Sequence, residues 1–251
     1  MNLKSKVLEL DIENMNNLSN EQYVMARRNG FGTSDSSALL GVNPFTSYLE
    51  LLKSKTLDGI TDAEKEIGMK TAVRKGRDLE PLVLEKWSKA FSVPCHKPEH
   101  QYKHKDFPYL KFNFDGVVYD VQVPVEAKVM TKYGKKYYDL SKTIYTEFAE
   151  RSGIPPEDVT TKPWAIAEKA KHYGIPAYYY TQLQQQMLGL ESKHGYLAVL
   201  DETDWLLHVF AVDRDEVVIR QLILKGNEAW ANVLRRKEMK QQGELVWAHY
   251  E

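Results

Sequence analysis

Apolar and polar positions along this chain follow a helical period up to residue 91, a period of two from His100 to Met130, and helical and strand blocks again after residue 177. Ser19 reads as an N-cap with Gln22 as its capping-box partner, and Leu18 is placed to staple against Tyr23. That helix should stop near Gly30. A second should begin within residues 32–37 and run to Gly41, and Asn43-Pro44 should turn the chain into a third over Tyr48–Lys55. Thr61 and Glu64 predict a further capping box. It opens a helical region reaching about Phe91, whose stripe of Leu79, Val83, Trp87, Ala90 and Phe91 faces the core, with Pro81 kinking or restarting it. Strands are expected over 109–114, 116–119 and 121–130. A helix over Tyr178–Leu190 carries Leu183, Met187 and Leu190 on one face. Strands follow over 194–200 and 205–212, and a last helix from about Asp213 carries Val218, Leu222, Trp230, Val233 and Leu234. This order predicts an α/β fold with a mixed central β-sheet flanked by helices.

A length of 251 residues is compatible with one or two domains. No repeat or low-complexity tract divides the chain, so residues 1–251 read as a single domain. Residues 131–177 form an extended Lys/Tyr-rich insertion broken at Gly153-Ile154-Pro155-Pro156. With 43% hydrophobic residues and a net charge of −1, the chain is unlike a disordered one. No apolar run is long enough to span a membrane, and residues 1–13 have no signal-peptide core. The single cysteine, Cys95, excludes a disulfide framework and a thiolate cluster. The expectation is a cytoplasmic protein. His100 and His104 fall in a strand-like stretch, where four residues span about 13 Å, too far for a zinc pair. Neither a Walker loop nor a Gly-x-Gly-x-x-Gly run is present, so ATP-driven movement has no support.

The chemistry concentrates in Asn113-Phe114-Asp115-Gly116 and Pro124-Val125-Glu126-Ala127-Lys128-Val129. On a strand, Val125, Ala127 and Val129 share one face and Glu126 and Lys128 the other. A bend at Gly116 can bring Asp115 beside Glu126. Two converging carboxylates repel unless a cation lies between them, and hard oxygens of this kind suit Mg²⁺ or Mn²⁺. Lys128 beside them could orient or deprotonate a water, or neutralise charge on a phosphoryl group.

Asp115 followed by Glu126-x-Lys128, preceded by Glu80 on a helix and followed by the glutamines of Tyr180–Met187, resembles the PD-(D/E)XK nuclease superfamily. Arg27-Arg28-Asn29-Gly30-Phe31-Gly32-Thr33-Ser34-Asp35 and Gly41-Val42-Asn43-Pro44-Phe45 extend the resemblance to the lambda exonuclease and YqaJ-like viral recombinase family, over about residues 27–234. The resemblance implies a restriction-endonuclease-like core in which Asp115, Glu126 and the Ala127 carbonyl hold metal. Lys128 positions or activates water, and Glu80 and either Gln182 or Gln184 complete the site. Gln182 and Gln184 point about 200° apart on a helix, so only one can serve it well. It also implies a pocket for a DNA 5′-phosphate made by Arg27 and Ser34, with Arg28 as the fallback arginine. Free N–H groups at a helix start and a forked guanidinium both suit that anion. Asn113 stands where the family has a small hydroxyl residue, Phe114 replaces the proline of the superfamily name, and Lys132 and Lys135 stand in for a basic residue after the catalytic lysine.

Near-neutrality argues against DNA only if charge is evenly spread. From Lys128 to Lys142 five lysines meet one acid, Asp139, interleaved with Tyr133, Tyr137 and Tyr138, a composition suited to phosphates and frayed bases. The expected function is a Mg²⁺-dependent (Mn²⁺ as the other candidate) 5′-to-3′ exodeoxyribonuclease. It would act on double-stranded DNA ends and leave 3′ single strands for phage-type recombination. The resemblance adds a homotrimeric ring, a single-strand annealing protein as partner, and a phage or prophage origin in a bacterial host. The rivals are a related endonuclease, an exonuclease of the other polarity, and a non-catalytic DNA-binding protein whose acids form a salt-bridge network.

Overall fold

The computed structural model describes residues 10–13, 18–61, 71–146, 149–150 and 163–243. Strand β1 (Leu10–Glu13) precedes α1 (Asn20–Arg27), a 3₁₀ turn (Thr33–Asp35), α2 (Ser36–Leu39), α3 (Tyr48–Lys55) and α4 (Thr71–Phe91). Strands β2 (Gln101–His104), β3 (Lys111–Phe112), β4 (Gly116–Val118) and β5 (Val123–Met130) follow, then the short β6 (Tyr145–Thr146) and β7 (Ala149–Glu150). Helices α5 (Pro163–His172) and α6 (Ala177–Leu190), strands β8 (His194–Asp201) and β9 (Leu207–Asp213), and α7 (Glu216–Gln241) complete the order.

Among the described residues the main sheet has the order β4-β5-β8-β9-β6-β7, and β1, β2 and β3 form a smaller antiparallel sheet. Of the described strands of this sheet only β5 and β8 pair in parallel, so the sheet is mixed as expected. Both faces are covered. Val83, Leu84 and Trp87 of α4 pack with Val125, Ala127, Ala198 and Val209 on one side. Leu183 and Met187 of α6 pack with Leu197, Val199, Phe210 and Val212 on the other. A third cluster joins Phe31, Leu110, Phe112 and Phe114 to α7 through Ile219, Ala229 and Val233.

Local signals set most boundaries. Ser19 caps α1 in a capping box with Gln22, and Ser47 does the same for α3 with Glu50. Asp215 caps α7 by accepting the N–H groups of Val217 and Val218. Two expectations change and one, at Pro81, narrows. The helix predicted to reach Gly41 is a 3₁₀ turn followed by one turn of α-helix. Helix α4 runs through Pro81 without restarting. Pro81 lies on an exposed part of the helix, away from buried Val83, Leu84 and Trp87. Trp205 lies in the β8–β9 turn with φ 61°, not in a strand. Glu64 and the 153–156 breaker lie outside the described residues. The segment after β5 is tied into the fold at both ends: β6 pairs with β9, and Ala165, Ile166 and Ala170 of α5 are buried. His104 is buried, its Nδ1 accepting the N–H groups of Asp106 and Phe107.

Candidate active site

Antiparallel pairing sets Gly116 opposite Val125, and the same register carried back one place faces Asp115 toward Glu126. Asp115 is held there by the N–H of Ala127, which donates to its Oδ2 at 3.1 Å. Gly116 lets the corner close, since a Cβ would lie 2.6 Å from both Cys95 Sγ and Leu84 Cδ2. Glu126 is fully buried and faces α6. Gln182 Nε2 donates to its Oε1 and Gln186 Nε2 to its Oε2, each at 2.5 Å.

Lys128 follows on the same face. Its ammonium donates to Asp115 Oδ2 at 3.3 Å, to the Ala127 carbonyl at 3.0 Å and, most closely, to Glu126 Oε1. Burial and then the Asp115 charge raise the Glu126 pKa, outweighing Lys128 and Gln186, which lower it. Burial works against the charge on Lys128, but Asp115 and Glu126 outweigh it and hold the pKa above the ordinary lysine value. Lys128 is therefore a charged donor here. The residues fit a hard divalent cation by their donor chemistry, because a positive nitrogen already contacts the three oxygens that the resemblance assigns to metal.

The other half of the site comes from the N-terminal segment. The N–H of Phe31 donates to Tyr109 O and the N–H of Lys111 to Phe31 O, which stitches residues 30–32 beside β3. Gln185 braces this junction by donating to Phe31 O and Lys111 O. Arg27 Nη2 thereby meets Ser34 Oγ at 3.2 Å. Arg27, Ser34, Asn113, Asp115, Glu126, Lys128 and Gln182 all line one cavity of about 170 Å³. Asp35 turns away from it, its Oδ2 accepting from Gly32 N–H and Lys55 Nζ.

Several expected residues are placed elsewhere. Arg28 is buried and donates to the carbonyls of Leu57 and Gly59, so the guanidinium at the cavity is that of Arg27. Gln184 faces the opposite way, donating to Asp213 O and accepting from Asp215 N–H, as a 200° offset from Gln182 requires. The Glu80 carboxylate pairs with Lys97 at 2.5 Å and does not line the cavity. Lys132 and Lys135 also lie off it. Lys135 pairs with Asp201 at 2.8 Å, beside Asp204 and His208, while Lys132 donates its backbone N–H to Glu202.

Sequence reasoning missed two residues. Gln186 carries a signal it overlooked, being one helical turn from Gln182. Lys111 lines the cavity and lies two residues before Asn113, the spacing that puts alternate residues of an extended strand on one face.

The profile of the YqaJ-like viral recombinase domain matches residues 22–189, which include every residue of this cavity. The chain belongs to the YqaJ-like viral recombinase family. An uncharacterized protein YqaJ of Bacillus subtilis (strain 168) is 22% identical over 219 residues, 85% of this chain and 56% of that protein. The chain thus spans about half the length of this curated relative. Among solved structures, the alkaline exonuclease LHK-Exo of Laribacter hongkongensis shares the fold with a TM-score of 0.59 at 15% identity, over 87% of this chain and 94% of that one. LHK-Exo in complex with dAMP gives 0.57 at 16% identity, over 88% and 95%. A phage related exonuclease from Haemophilus somnus 129PT gives 0.50 at 12% identity, over 86% and 96%. The chain thus shares its architecture with these exonucleases.

Proposed function

We propose that this YqaJ-family protein is a Mg²⁺-dependent exodeoxyribonuclease, with Mn²⁺ as the other candidate ion, that degrades one strand of duplex DNA 5′ to 3′ from an end. The single observation that carries the reading is one cavity holding both halves of such a site, the Asp115–Glu126–Lys128 cluster and the Arg27–Ser34 pair. Asp115, Glu126 and the Ala127 carbonyl would hold the ion. Bound there, it would lower the pKa of a water and offset charge developing on phosphate. Lys128, kept protonated by the two acids, donates hydrogen bonds and adds positive charge beside the scissile phosphate. Gln182 and Gln186 fix both oxygens of Glu126, so its carboxylate does not rotate. Arg27 and Ser34 bind the terminal 5′-phosphate, and Asn113 at the same wall offers an amide donor in place of a hydroxyl. Glu80 is left out of the ligand set, since it does not line the cavity and points to Lys97. LHK-Exo has been captured with dAMP, the class of mononucleotide that stepwise digestion would release.

The test compares 5′-phosphorylated, 5′-hydroxyl and covalently closed circular duplexes with Mg²⁺ present. Wild-type protein should release mononucleotides from 5′-phosphorylated ends and leave circles intact. Lys128→Ala and Glu126→Ala should each lower the rate by about 10²–10⁴-fold, the range for a positioned acid–base or charge-stabilising group. Efficient cutting of circles would make the protein an endonuclease, and unchanged hydrolysis in both variants, with folding preserved, would remove the site. The ring trimer and the annealing-protein partner belong to the same proposal, and mass measurement in solution tests the first.

A further inference from the structure

The aromatic residues between the cavity and the surface are not used by the hydrolytic reading. Tyr178 lies one helical turn before Gln182 on α6, so the two side chains share a face about 5–6 Å apart. Its ring packs edge-on against Phe45 at 5.9 Å and against Tyr179 at 4.4 Å. The Tyr179 ring in turn lies 5.5 Å from Lys128 Nζ, so an unbroken line of rings runs from the reaction centre to Phe45. Phe45 is 78% exposed, unlike a core residue. It is also held firmly: Asn43 Oδ1 accepts the N–H groups of Phe45 and Thr46 at 2.8 and 2.9 Å, and Asn43 Nδ2 donates to Ser37 Oγ at 2.8 Å. The turn therefore presents a fixed ring to solvent.

Cations flank this surface. Tyr137 is exposed with Lys136 Nζ 5.0 Å from its ring, and exposed Lys142 follows in the same segment. Tyr138, next along the chain from Tyr137, stacks on Tyr179 with centroids 6.4 Å apart, which holds this segment beside α6. Flat rings bordered by lysines match a nucleic-acid strand, in which every base has a stacking face and every linkage a negative charge.

We propose that Phe45 and Tyr178 form a stacking platform for unpaired nucleobases at the DNA end. This rests on the nuclease reading and deepens it. The protein would hold the last bases out of the duplex while the adjoining phosphate lies at Lys128. Removing one ring from a base-stacking site weakens binding by about 1–3 kcal/mol, or roughly fivefold to more than a hundredfold.

The probe is a 5′-phosphorylated duplex whose terminal nucleotides carry 5-iododeoxyuridine, bound with metal withheld so that hydrolysis does not enter. Irradiation should crosslink the probe to Phe45 or Tyr178, located by peptide mass. Phe45→Ala and Tyr178→Ala should each raise Kd about tenfold, while Phe45→Trp and Tyr178→Phe keep wild-type affinity. Melting temperatures check that the variants fold. Failure of the wild type to bind, absence of a crosslink at both positions, or an unchanged Kd in both alanine variants overturns the platform. Cleavage of the plain duplex by wild-type protein in Mg²⁺ is scored separately. Cutting without a crosslink leaves the nuclease reading standing and removes the platform. A crosslink with weakened alanine variants but no cutting does the reverse.

Discussion

Four glutamines occupy positions 182 and 184–186 of α6, and helical angle separates their roles. Gln182 and Gln186, one turn apart, grip Glu126, whereas Gln184 points across the helix to cap the start of α7 through Asp213 and Asp215. Gln186→Ala should therefore weaken the metal-dependent rate about 10–100-fold at limiting Mg²⁺, the usual effect of losing a group that orients a ligand. Gln184→Ala should cost about 1–3 kcal/mol of stability by stranding two backbone groups, with the rate nearly unchanged. Metal titration of the rate beside thermal melting separates the two. Cys95 makes a different prediction. Burial pushes its thiol up to about 12, so at pH 8 it stays protonated and enclosed. A thiol reagent at that pH should label Cys95 only at the rate of unfolding, and rapid labelling of native protein would contradict the placement.

At the level of elements, β5 and α6 matter most because they supply the carboxylate, the lysine and the glutamines from opposite sides of one gap. The seating of α6 also depends on its contact with β3. Gly189 on α6 packs directly on Phe112, and a Cβ there would lie 2.6 Å from the ring. Alanine would gain about 1 kcal/mol of helix propensity. Overpacking at about 1–3 kcal/mol should outweigh that gain, so Gly189→Ala should melt below wild type. A variant melting at or above wild type would show that α6 can shift freely. The start of α1 was legible because its capping box, Ser19 with Gln22, marks it locally. The passage of α4 through Pro81 was not, because it depends on which side of the helix meets solvent.

For the whole molecule, a net charge of −1 stands beside a proposed substrate that is a polyanion. Away from the cavity much of the charge cancels in local pairs, such as Lys89 with Glu85, Lys225 with Glu228, Lys240 with Asp58 and Lys169 with Asp215. At the cavity, Arg27, Lys111 and Lys128 face two carboxylates that a divalent ion would neutralise. DNA affinity should therefore fall as salt rises, with a log–log slope of about −0.9 for each phosphate contacted. Lys136→Ala and Lys142→Ala should each make that slope shallower by about one. Salt-independent binding would leave the lysine-rich segment without a DNA role.

The chain order of Asp115, Glu126-x-Lys128, the Arg27…Ser34 signature and a glutamine-rich helix, with the periods that place them on strands and helices, is legible in one dimension. Those periods follow from local geometry, which is why the mixed α/β architecture was legible too. Which of two adjacent arginines enters the cavity, which glutamine turns inward, and whether Glu80 faces the acids or Lys97 depend on contacts between segments remote in the chain. Arg28 is claimed by the carbonyls of Leu57 and Gly59, Gln184 by Asp213 and Asp215, and Glu80 by Lys97. Each of these side chains goes to the partner that packing brings within reach, and only the tertiary structure settles which partner that is.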